Sequence, residues 1–169
     1  RGGNAVDAAV TAAAVLAVVE PAMTGIGGDL FAVVHDARSG RLEGLNASGR
    51  TGREAACGRL LRAGHSRIPT RGPLSVTVPG AVDGWSELLA RHGSLTLAQA
   101  LAPAIGYASD GFPVCEIVAG QWESLAPALA TDAETTAVFL PGGRAPQAGE
   151  IFHNPLLARS LEQIAAGGR

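Results

Sequence analysis

The segment Asn46-Ala47-Ser48-Gly49-Arg50-Thr51-Gly52-Arg53-Glu54 carries the densest set of groups able to do chemistry. Two guanidiniums separated by small residues can fork onto a carboxylate through paired N–H donors. The segment directly follows a strand-like run, and loops at strand ends are frequent sites of substrate contact. Residue types alone favour the plainer reading of a solvated, arginine-rich loop.

The other candidates are weaker. His35, His65, His92 and His153 stand at no metal-ligand spacing to one another, to Cys57 or Cys115, or to an acid. No metal and no cofactor is expected. Neither Gly-x-Ser-x-Gly nor a local cysteine-nucleophile signature is present. Thr135-Thr136 lacks a neighbouring base and reads as a turn or helix start. Gly25-Ile26-Gly27-Gly28 follows a helix and precedes a strand, the reverse of a dinucleotide-binding turn, and no Gly-Lys-Ser/Thr follows it. It reads instead as a tight backbone crossing that only glycine tolerates.

The bulk properties narrow the class. Of 169 residues, 47% are hydrophobic and 17% charged, so disorder is excluded and much of the surface is expected to be covered. The net charge of -2 gives no basic surplus for nucleic acid. All 13 basic residues are arginine, which reflects coding bias and marks no site. Two distant cysteines allow one disulfide but form no framework.

The elements follow from local signals. Asn4 caps a helix over Ala5–Val19, with Asp7 in the capping-box position and Glu20-Pro21 as the stop. Its apolar run is about fifteen residues and a span needs about twenty, so a buried central helix is expected and not a membrane span. Residues 30 to 46 read as a hairpin turning at Asp36–Gly40. A short helix is expected near Glu54–Arg62, and a strand at Leu74–Val78. Helices are expected over Ala81–Arg91, from Thr96 to about Ala108, over Val114–Leu125, and from Asn154-Pro155 onward. The bottom-up class is α+β, mostly helical with one short hairpin.

Four segments, in order, carry a family resemblance. They are Gly2–Ala9 followed by Gly25–Phe31, Val78–Trp85, Leu97–Val114 with Ala108-Ser109-Asp110-Gly111-Phe112, and Asn154–Ala165. Together the chain resembles the front part of the large subunit of the gamma-glutamyltransferase (glutathione hydrolase) family, in a divergent branch.

The resemblance implies part of an N-terminal nucleophile hydrolase αββα sandwich. It also implies a self-cleaving precursor whose small subunit begins with the nucleophilic Thr. That Thr attacks a gamma-glutamyl amide, such as glutathione, and water or an amino acid accepts the acyl group. On this reading residues 1–169 form a single incomplete domain, an internal fragment with no catalytic residue of its own and no activity alone. Its expected partners are a small gamma-glutamyl substrate, the rest of the large subunit and the small subunit. A periplasmic or extracellular location is the family's common habit.

One departure bears on the substrate. The family's carboxylate-gripping Arg, aligned without gaps from Phe31, falls on Ser48. Arg50 lies two residues later, and a two-residue shift in an extended segment keeps the same side. The expected substrate-binding residues are therefore Arg50 and Ser48. The alternatives are an amidase or acylase with another acyl substrate, and a non-catalytic relic.

Overall fold

A computed structural model describes residues 2–168. About half of the chain is helical, and the strands form one hairpin and one two-residue bridge. The chain divides into two compact units. One takes in the chain up to Gly25 and again from Leu88; the other is Ile26–Glu87.

The first unit is built on α1 (Ala5–Val19). Asn4 closes a capping box, its side chain accepting from Val6 and Asp7 while Asp7 accepts from the Asn4 amide at 2.7 Å. Asp7 has a second task. It is 1% exposed, and it accepts from Ser94 N at 2.9 Å, Ser94 Oγ at 2.7 Å and Leu95 N at 3.0 Å. Those amides lie between α3 (Ala81–His92) and α4 (Leu97–Asp110). The Asn4 amide Nδ2 also donates to the His92 carbonyl at 2.6 Å. One carboxylate thus joins the start of α1 to the α3–α4 turn. Gly93 makes the approach possible, because a Cβ there would lie 2.8 Å from Asp7 Oδ1 and 2.8 Å from Leu89 Cα.

Small residues set the packing that follows. α1 packs on α4, and α4 packs on α7 (Pro155–Gly167). Ala14, Ala100, Ala104 and Ala108 are fully buried, as are Leu101 and Leu161. α1 is buried on one side only, through Asp7, Val10, Ala14, Ala17 and Val18; Ala8, Ala12 and Leu16 are exposed. The helix expected to be buried has its buried side here. Its apolar residues run all round the helix, and within the first unit they have neighbours on one side.

The rest of the first unit closes on aromatic rings. β3 (Phe112–Pro113) pairs antiparallel with β4 (Ile151–Phe152). Gly111, at φ 89°, ends α4 and turns the chain into β3. Between them lie α5 (Glu116–Leu129) and α6 (Ala133–Phe139). Trp122 of α5 is 2% exposed and meets Phe152 edge-on at 4.7 Å. Its indole N–H donates to the Phe139 carbonyl at 2.8 Å, so the ring is buried with its polar atom satisfied.

The second unit holds the hairpin of β1 (Leu30–Asp36) and β2 (Arg41–Ala47), in register from Leu30 opposite Ala47 to Asp36 opposite Arg41. Asp36 organises the turn: its side chain accepts from Arg38 N and Ser39 Oγ, and Gly40 takes the left-handed conformation at φ 70°. The expected short helix is α2 (Cys57–Arg62). The strand expected at Leu74–Val78 is absent. Pro73–Ser75 is a 3-10 turn, and the chain beyond is irregular. Val78 N donates to the Arg50 carbonyl at 2.9 Å, but Pro79 has no N–H with which to extend a ladder. Among the described residues no helix is long and apolar enough to cross a membrane.

Two outcomes are expected. Trp122→Ala empties the ring site and lowers stability by about 3–5 kcal/mol in a denaturant titration. The second concerns Asp7. Burial alone would raise its pKa from the ordinary 3.8, but the bonds from Asn4, Ser94 and Leu95 outweigh it and hold the carboxyl far below that value. The unfolded chain then takes up the proton first, so stability is full above about pH 4 and falls as pH drops below it. Asp7→Asn should lose that part of the acid dependence and melt about 8 °C lower near neutral pH.

Candidate functional site

The polar segment singled out in the sequence leaves the end of β2 and is fixed by its backbone. Ser48 N donates to Asn46 Oδ1 at 2.8 Å, closing a local turn. Gly49 N donates to Asp29 Oδ1 at 3.0 Å, and Thr77 Oγ1 donates to the same oxygen at 3.4 Å. The Arg50 carbonyl receives Val78 N. Beside this, Gly28 O accepts from both Gly80 N and Ala81 N at 3.0 Å, the amides that open α3. Three stretches, Gly28-Asp29, Asn46–Arg50 and Thr77–Ala81, therefore hold one another through main-chain bonds and the Asp29 carboxylate.

This places the close crossing differently from the sequence expectation. At Gly25 and Gly27 a Cβ would meet nothing within 4 Å, and neither has a positive φ. The residues here that admit no side chain are Gly49, where a Cβ would run into the Val78 carbonyl, and Gly80, where it would run into the Ala47 carbonyl. The Gly28 turn contributes its carbonyl, with the chain packed against it from Gly80.

Ser48 and Arg50 are exposed and the residue between them is half-buried, the alternation of an extended segment that turns its inner face to Asp29 and Val78. Among the described residues the Arg50 guanidinium has no hydrogen-bond or ion-pair partner. That sets it apart from the paired arginines Arg144 and Arg59, while Arg53 on the same segment is likewise without a partner. Arg144 is forked onto Glu150 at 2.9 and 2.7 Å, which draws the Glu150 carboxyl down to about 2. Arg59 pairs with Glu54. Arg50 keeps its donors available, on a backbone that is itself fixed.

The remaining candidates are structural. Thr135 N and Oγ1 both donate to Asp132 Oδ2, at 2.8 and 2.6 Å, and Thr136 Oγ1 donates to the Asp132 carbonyl at 2.7 Å. Asp132 caps α6, and both Thr hydroxyls are engaged in that helix start. His35 lies on β1, His65 in the loop after α2, and His92 ends α3. His153 Nδ1 lies 3.3 Å from the Ser109 carbonyl. Among the described residues no group of His, Cys, Asp and Glu is placed to hold a metal. Cys57 and Cys115 are both free and exposed. The sequence reading missed the tie at Asp29, although Gly-Gly-Asp at a strand start carries an available acceptor.

A family model described as gamma-glutamyltranspeptidase matches residues 1–169. The chain belongs to the gamma-glutamyltranspeptidase family. A glutathione hydrolase-like proenzyme of Bacillus subtilis is 43% identical over 170 residues, covering 100% of this chain and 32% of that protein. The crystal structure of Helicobacter pylori gamma-glutamyltranspeptidase superposes with a TM-score of 0.92 at 32% identity, over 99% of this chain and 49% of that one. The cephalosporin acylase of Bacillus halodurans gives 0.92 at 40%, over 98% and 32%. The α+β fold is thus that of the corresponding part of these N-terminal nucleophile hydrolases, the front of the large subunit. The chain spans about a third of the length of the Bacillus subtilis relative.

Gly49→Ala tests the fixed segment. The added methyl must push Val78 away, at a cost of about 1–3 kcal/mol. The same change at Gly25, where there is room, should leave the melting temperature nearly unaltered.

Proposed function

We propose that this chain supplies the front of the large subunit of a gamma-glutamyltransferase-like enzyme. The enzyme cleaves gamma-glutamyl amides such as glutathione and passes the glutamyl group to water or an amino acid. The attacking group, by the family resemblance, is the N-terminal Thr of a small subunit that is not part of this chain. The polypeptide of 169 residues therefore hydrolyses nothing by itself. Its site contribution is Arg50, gripping the substrate α-carboxylate, with Ser48 beside it. The observation that carries this reading is an exposed, unpartnered guanidinium at the end of β2 on a segment whose backbone is held from both sides. A fixed cation of that kind gives bidentate recognition of a carboxylate.

The exposed faces agree with a front piece of one larger domain. Phe31, Val33 and Leu42 on the hairpin are 68–74% exposed, more apolar surface than a finished sheet leaves bare.

A second reading is an acylase or amidase acting on a different acyl group. Ser48 in place of the family's Arg favours it, and an acylase is among the similar structures, at 40% identity. Kinetics on the product of the complete gene separate the two. A gamma-glutamyl anilide carries the α-carboxylate; a 4-aminobutyryl anilide does not. Arg50→Ala should raise KM for the first by about 10- to 100-fold and leave the second unchanged. Unchanged hydrolysis of the gamma-glutamyl anilide would remove Arg50 as the anchor and leave the acylase reading.

A further inference from the structure

Arg50 can direct its guanidinium only if the backbone beneath it stays in place, and that backbone is tied by the Val78 amide on one side and by a single side chain on the other. Asp29 stands immediately before β1. Its Oδ1 accepts from Gly49 N, one residue before Arg50, at 3.0 Å, and from Thr77 Oγ1 at 3.4 Å, one residue before the amide that bonds the Arg50 carbonyl. The same oxygen therefore touches both strands of chain that flank Arg50. The Gly49 N–H has no other acceptor in the described structure, and its lack of a Cβ lets the segment lie against Val78.

We propose that Asp29 is a positioning residue for substrate recognition: it clamps Gly49 and Thr77 so that Arg50 is held extended at the end of β2. The proposal rests on the reading of Arg50 as the carboxylate anchor. Asp29 touches no substrate in this scheme. Its carboxylate oxygen is needed as an acceptor and its charge is not, so an amide oxygen serves equally well.

Two readouts on the product of the complete gene test it. The first is amide hydrogen exchange at Gly49, which follows local opening independently of any substrate. Asp29→Ala should quicken it at least about tenfold, and Asp29→Asn, which keeps the Oδ1 acceptor, should leave it close to the parent. The second is kinetics. Asp29→Ala should raise KM for the gamma-glutamyl anilide about tenfold with kcat little changed, leave the 4-aminobutyryl anilide unaffected, and be rescued by Asn.

Unaltered exchange at Gly49 in Asp29→Ala would overturn the clamp. So would an equal loss on both anilides, which marks a general structural role. If Arg50→Ala itself fails to change the preference between the two substrates, the anchor reading falls alone, and the exchange result still decides the clamp.

Discussion

A single buried carboxylate, Asp7, is the joint on which the helical unit depends. It sits at the third position of α1, and three amides and a hydroxyl converge on it. An anion taken out of water is costly unless donors replace the water. Here the donors come from the helix start and from a turn 87 residues away in sequence. With that joint made, the alanine faces of α1 and α4 can meet closely, and α7 packs on α4 as well. The aromatic cluster of Phe112, Trp122 and Phe152 then fills the space where small residues give way to large ones.

The unit of residues 26–87 obeys a different constraint. It has few large buried side chains and holds its candidate segment through main-chain bonds and one carboxylate. Glycine without a Cβ and one carboxylate oxygen bring three stretches together, leaving guanidiniums outside. Rigid backbone and open side chains suit recognition: entropy is spent in folding and not again on binding. Arg50 is the member of this set that combines a held backbone with unpartnered donors.

Local chemistry was readable from the sequence. The capping box at Asn4–Asp7, the Thr96 cap, the Asn154-Pro155 start and the Asp36–Gly40 turn depend on residues within a few positions, and each formed as expected. Long-range chemistry was not. Nothing near Asp7 announces its bonds to Ser94 and Leu95. Leu74–Val78 alternates like a strand, but alternation does not supply a partner, and the flanking prolines block the ladder. The glycine turn reads as a close crossing, yet Gly25 and Gly27 have room for a Cβ and the crowding falls at Gly49 and Gly80. Ser48 and Arg50 were legible as chemistry through their types, while their assignment to a substrate carboxylate came from the family resemblance.

The most direct measurement is a crystal structure of the product of the complete gene with glutamate bound. The account predicts the glutamate α-carboxylate within about 3 Å of the Arg50 guanidinium, in a paired fork. Glutamate seated elsewhere, with Arg50 turned to solvent, would contradict the account and leave this segment as scaffold only.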